Sequence, residues 1–169
     1  MTVSKIYFDM DGVLADFEKG VRDLCRLEAL SQNGRRDPAL DDLMWERIRE
    51  AGNFYDRLDL MPGAKEMFDA VYGKYGDRCE ILTGIPREER RIVTAEQDKR
   101  DWMRHLLSED VKVNAVCRRH KQRYCTGPDT VLIDDLEKNI REWKDAGGTA
   151  ILHVSAEQTM AELKRLGVL

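Results

Sequence analysis

The chain has 169 residues, of which 42% are hydrophobic and 36% charged, with a formal net charge of -4. That length supports one ordinary hydrophobic core with room for an insertion, and the composition excludes a disordered or membrane-embedded chain. No apolar run approaches the roughly 20 residues that cross a bilayer, and the net acidity argues against a broad nucleic-acid-binding face.

The N-terminus, "MTVSKIYFDMDG", runs straight into strand-like sequence without the basic, apolar and small-residue zones of a signal peptide, so a cytoplasmic protein is expected. Where the run "KIYF" ends, Asp9 and Asp11 stand one residue apart and Gly12 follows at once. Two carboxylates held together repel, and a metal ion is the natural partner that offsets this. An EF-hand is excluded, because Gly20 stands where that loop needs a bidentate glutamate.

Next comes "FEKGVRDLCRLEAL", a predicted helix with Phe17, Val21, Leu24 and Cys25 on one face. A polar turn, "SQNGRRDP", and a second predicted helix, "ALDDLMWERIREAG", follow it. "MPGAKEMFDAVYGKYG", with Pro62 near its start, reads as a crossover helix. The interval of about seventy residues between "KIYF" and the next apolar run, "CEILT", is far more than one crossover needs. Residues 16 to 61 therefore read as a small helical insertion, and 1 to 15 with 62 to 169 as the core. Three further strand-like runs, "VKVNAV", "TVLI" and "TAILHV", alternate with helical segments. The clearest of these is "LEKNIREWKDAGG", where Leu136, Ile140 and Trp143 share a face and Gly147 and Gly148 supply the stop. The expected class is α/β: a parallel five-stranded sheet with helices on both faces.

Cys25, Cys79, Cys117 and Cys125 form no CxxC pair, which fits reduced thiols. "CRRHKQRYC" places His120 between two cysteines, but a structural zinc site takes four ligands and no fourth is evident. In open parallel sheets ligands bind beyond the carboxyl ends of the strands. Sorting the polar residues found there selects Asp9, Asp11, Thr83, Asp134 and Asp135, with Lys121 as a further positive charge. Such a set suits a hard divalent cation bound through oxygen, and Mg2+ is the usual choice beside a phosphate.

"DMDGVLAD" resembles the first motif, DxDGxx[TV], of the haloacid dehalogenase superfamily of phosphotransferases. "ILTG", Lys121 and "LIDD" resemble its second, third and fourth motifs in the same order. "KQRYC" before the fourth motif favours Lys121 over Arg118, Arg119 or Arg123. The resemblance implies a Rossmann-like core with the first strand central and a cap inserted after the first motif. It also implies Asp9 as nucleophile, Asp11 as general acid and base, and Thr83, Gly84 and Lys121 around the phosphoryl oxygens. Mg2+ would be held by Asp9, Asp11 and Asp135, with Asp134 beside it. "DMDGVLADFEKG", "WERIREAGNFYDRLDLMPGAKE", "DKRDWMRHLL" and "LIDDLEKNIREWKDAGGTAILH" are similar to the deoxyribonucleotidase branch.

That branch implies a small-molecule phosphate ester, a nucleoside monophosphate, with cap aromatics against the base. Phe17 matches one such aromatic in position, whereas Trp45, Phe54 and Tyr55, at helical spacing, read more readily as cap core than as base contacts. Two alternatives stay open. A phosphatase for sugar phosphates or nucleic-acid 3'-phosphate ends would keep the same core and change the cap. A domain that binds metal and phosphate without turnover would have no need of the Asp11 acid.

Overall fold

The five apolar runs form the strands of one sheet in a computed structural model that describes residues 1–28, 34 and 37–169. They are β1 (Lys5–Phe8), β2 (Cys79–Ile85), β3 (Val113–Cys117), β4 (Thr130–Asp134) and β5 (Thr149–Leu152). All neighbours run parallel in the order β3-β2-β1-β4-β5, so the first strand is central. Strands covered on both faces need apolar side chains on both, and β1 supplies them. Ile6 and Phe8 enter a core with Ile81, Val131 and Ile133, while Tyr7 turns to the other face with Leu82, Leu132 and Trp143.

The helices are α1 (Phe17–Cys25), α2 (Pro38–Ala51), α3 (Ala64–Tyr75), α4 (Ala95–Leu106), α5 (Glu137–Asp145) and α6 (Ala156–Arg165). Asp16 caps α1 by accepting from the Lys19 N–H at 3.0 Å. Asp37 does the same for α2 through the Ala39 N–H at 2.9 Å, with Pro38 in the first turn. The first helix is shorter than its apolar pattern predicts. It stops at Cys25 because Arg26 adopts a left-handed conformation, φ 58°, with its N–H turned back to the Val21 carbonyl. Residues 29 and 30 of that predicted helix, and most of the predicted "SQNGRRDP" turn, lie outside the described residues. No helix among the described residues is long and apolar enough to cross a membrane.

Between β1 and α3 the described chain makes its detour through α1, α2 and a 3-10 turn at Tyr55–Arg57. Its two ends meet: Ala15 bridges Leu60 antiparallel, the Asp16 N–H donates to the Asp59 carbonyl, and the Met61 N–H donates to the Leu14 carbonyl, each at 2.8 Å. Helix α4 packs under the returning leg. There the Trp102 indole N–H, fully buried, donates to the Leu58 carbonyl at 2.7 Å, and Asn53 donates to Asp98 at 2.8 Å. A buried indole and a paired carboxylate on one helix face fix that leg against the core.

Candidate active site

The sheet register brings the predicted residues to one edge. Phe8 pairs with Ile81 on one side and Ile133 on the other, so Asp9, Thr83 and Asp134 emerge together at the carboxyl ends of the strands. The Asp9 N–H extends the pattern, donating to the Ile133 carbonyl at 2.9 Å. Lys121, on a 3-10 segment over Arg118–Tyr124, reaches beneath this edge. Its ammonium lies 2.8 Å from Asp9 Oδ1 and 2.7 Å from Asp134 Oδ2. Burial works to lower the Lys121 pKa, but the charges of Asp134 and Asp9 outweigh it and raise the pKa above the ordinary lysine value, so this residue is a fixed cation.

The two fourth-motif acids have different surroundings. Asp134 is fully buried and both its oxygens are engaged. Oδ1 accepts from the Leu136 N–H at 2.9 Å and Asn139 at 3.0 Å, and Oδ2 from Lys121 at 2.7 Å and Asn139 at 2.9 Å. Asp135 instead lines the cavity with Asp9 and Asp11. Burial, then the neighbouring charges of Asp9 and Asp134, push its carboxyl up to about 8. Oxygens of Asp9, Asp134 and Asp135 lie within 4.8 Å of one another. Gly12, at φ 82°, lets the loop pass this cluster: a Cβ there would stand 2.2 Å from Asp135 Oδ2. An all-oxygen donor set whose crowding raises a carboxyl pKa fits a hard cation of the Mg2+ type.

Asp11 sits on the other side of Asp9's loop and has an unpredicted partner. The Lys99 ammonium, fully buried on α4, donates to Asp11 Oδ2 at 2.5 Å, to Thr83 Oγ1 at 2.9 Å and to the Gly84 carbonyl at 2.9 Å. The Tyr55 ring covers it, 4.5 Å from ammonium to centroid. Asp11 Oδ1 is buried and has no hydrogen-bond partner among the described residues. Thr83 has no exposed surface and its hydroxyl oxygen is occupied by Lys99, which leaves its O–H to donate elsewhere. Gly84 is the second-motif residue that lines the cavity.

The cavity measures about 860 Å³. Phe17, Trp45 and Tyr55, from the segment between β1 and α3, line it together with Arg87, Glu88, Glu89, Arg118 and Arg119. Phe54 does not line it. Its ring is buried edge-on against Phe17 and Tyr55, at 5.5 and 5.3 Å between centroids. Phe17 does both jobs, since it is 4% exposed and still reaches the cavity wall. Arg90 closes the corner by pairing with Asp41 at 2.9 Å and Asp42 at 2.5 Å while stacking 5.8 Å over Trp45.

A protein of Vibrio phage KVP40, whose name assigns it provisionally to the 5'(3')-deoxyribonucleotidases, is 31% identical over 134 residues, covering 79% of this chain and 67% of its own. The chain belongs to the haloacid dehalogenase superfamily, beside its 5'(3')-deoxyribonucleotidase branch. No protein-family model matches. Solved haloacid dehalogenase-type structures share the fold at low identity. A CbbY variant from Rhodobacter sphaeroides in complex with xylulose-(1,5)bisphosphate superposes with a TM-score of 0.53 at 16% identity, covering 91% of this chain and 87% of that one. L-2-haloacid dehalogenase from Xanthobacter autotrophicus gives 0.50 at 14% identity, covering 97% and 83%.

Within this superfamily fold, the structure brings Asp9, Asp11, Thr83, Gly84, Lys121 and Asp135 to one edge, places Asp134 beneath them, and leaves Phe54 inside the insertion. Lys99 is the residue that sequence reasoning missed. Its signal is visible in retrospect: it lies four residues after Ala95 and three and four before Trp102 and Met103, all buried, so a charge stands on the apolar face of a helix.

Proposed function

We propose that the protein is a Mg2+-dependent phosphomonoesterase that works through an aspartyl-phosphate on Asp9 and acts on (deoxy)nucleoside monophosphates. The observation that carries this reading is the pairing of Asp9 and Asp11 on one cavity: Asp9 Oδ1 is held by Lys121, while Asp11 keeps a buried oxygen without a hydrogen-bond partner among the described residues. A nucleophile and a separate acid within one rim split a difficult displacement into two easier ones. Asp9 attacks phosphorus while Asp11 protonates the departing ester oxygen; Asp11 then takes a proton from the water that attacks the aspartyl-phosphate, which regenerates Asp9.

Lys121 keeps Asp9 oriented and offsets charge on the phosphoryl oxygens, Gly84 lines the same cavity, and Thr83 supports the site from behind through Lys99. Asp9, Asp135 and the Asp11 backbone would hold Mg2+, which when bound supplies charge neutralisation and orientation of the phosphate. Asp134 supports Asp135 from below, because both of its own oxygens are engaged. Phe17, Trp45 and Tyr55 form an aromatic wall suited to a nucleobase.

The test is phosphate release from a panel of nucleoside monophosphates, sugar phosphates and 3'-phosphorylated oligonucleotides, with Mg2+, with Ca2+ and after chelation. Nucleoside monophosphates should lead the panel, with activity lost on chelation and restored by Mg2+ but not by Ca2+. A protein that binds phosphate yet releases none from any ester would sink the enzyme reading. One observation favours the second reading, nucleic-acid 3'-phosphate ends: Arg87, Arg118 and Arg119, which line the cavity, have no ion pair among the described residues. Preference for the oligonucleotide would select it.

Phe17→Ala separates wall from packing. Base-aromatic stacking is worth roughly 1–3 kcal/mol by alanine substitution, so kcat/KM for a nucleotide should fall about tenfold relative to an aliphatic phosphate. Equal losses on both, with a lowered Tm, would assign Phe17 to packing alone.

A further inference from the structure

The phosphatase reading gives Asp11 a proton to deliver, but a carboxyl group rotates, so something must hold it in one orientation. We propose that Lys99 is the positioning residue for Asp11: by anchoring Oδ2 it fixes the orientation in which the carboxyl group meets the departing group of the substrate. This rests on the phosphatase reading and goes beyond it, because none of the four motifs includes Lys99 and the resemblance of "DKRDWMRHLL" carries no role for it.

An ammonium has three N–H donors. Those of Lys99 are matched one to one by Asp11 Oδ2, Thr83 Oγ1 and the Gly84 carbonyl, with the Tyr55 ring over the remaining side. The group therefore has no rotational freedom and no solvent. Oδ2 accepts from the ammonium at 2.5 Å, so the carboxyl group is held at one end and cannot rotate freely about its own bond. In the first step the Asp9 oxygen forms a bond to phosphorus, the P–O ester bond breaks, its electron pair stays on the ester oxygen, and the Asp11 proton neutralises that oxygen as the alcohol leaves. In the second step water adds to phosphorus, its proton passes to Asp11, and the P–O bond to Asp9 breaks with its electron pair returning to the Asp9 carboxylate. Lys99 touches none of the reacting atoms; it acts by holding Asp11.

Leaving-group dependence tests this, because kcat/KM reports the steps through departure of the alcohol. p-Nitrophenolate leaves with little help from an acid, whereas an alkoxide needs its proton. Lys99→Met and Lys99→Gln should lower kcat/KM for an alkyl phosphate by about 10²-fold, and that loss should exceed the loss on p-nitrophenyl phosphate by at least about tenfold. A role limited to packing or to shaping the phosphate pocket would lower both esters alike, and equal losses overturn the proposal. So does unchanged activity on both esters, or failure of both variants to fold, which would make Lys99 a structural group. Wild-type protein that hydrolyses neither ester in Mg2+ overturns the phosphatase reading itself, an outcome distinct from an active parent with non-discriminating variants.

Discussion

Asp9→Asn is expected to yield a folded protein whose phosphate release falls on the order of 10⁴-fold or more below the parent, the scale seen when a covalent catalytic group is removed. The amide keeps the shape of the carboxylate and can still accept a hydrogen bond from Lys121, so Asp134 and Lys121 stay paired beneath it. What disappears is a negatively charged oxygen able to bond to phosphorus. The fold should tolerate the change because it also removes one of the negative charges that push Asp135 upward. Circular dichroism and Tm would report folding, and a panel ester would report turnover. Near-normal release from Asp9→Asn would eliminate the covalent route.

Asp135→Asn is expected to have two large effects of opposite kind: loss of Mg2+-dependent activity, and a gain in stability of the metal-free protein at alkaline pH. The folded-state pKa of Asp135 is raised to about 8 by burial and then by Asp9 and Asp134, against about 4 for an unperturbed aspartate. Between those values the native state holds a proton that the unfolded chain has released. The stabilising contribution is therefore complete below about pH 4 and is lost as pH rises through about 8. Metal-free parent should show a Tm that declines from pH 5 to pH 8.5, by on the order of 5–10 °C. Mg2+ should restore the Tm more strongly at the higher pH, because metal binding displaces that proton. Asp135→Asn should flatten the profile and abolish the Mg2+ response. A parent Tm independent of pH over this interval, or an Asn variant still stabilised by Mg2+, would show that Asp135 is not the group concerned.

How much of this could be read from the chain varies from residue to residue. The strand runs are short, β-branched and bounded by helical segments, so all five were legible, and their common polarity placed the acids on one edge. The Asp9–Asp11 spacing was legible because it is local. Lys99 was not, since its meaning depends on α4 turning a face toward a loop 88 residues away in sequence. The end of α1 was missed for a different reason. A left-handed Arg26 has no glycine to announce it, and an apolar pattern continues past it through Leu27. Phe17 and Phe54 show the limit of periodicity: both are aromatic, both are buried, and only the three-dimensional packing sets one on the cavity wall and the other behind it.

The stem at which Ala15 meets Leu60 has a consequence for how such a protein can diversify. The outgoing and returning chains are hydrogen-bonded side by side, so the sheet is presented with two fixed ends whatever lies between them. The entropy of closing a loop rises only slowly with its length, about 0.6 kcal/mol per doubling. The pairing of the two ends therefore anchors β1, and the register that aligns Asp9 with Asp134, independently of how long the chain between Asp16 and Asp59 is. A change of length there has to keep a second tie as well, where the Tyr55 ring covers Lys99 and the Leu58 carbonyl accepts from Trp102 on α4.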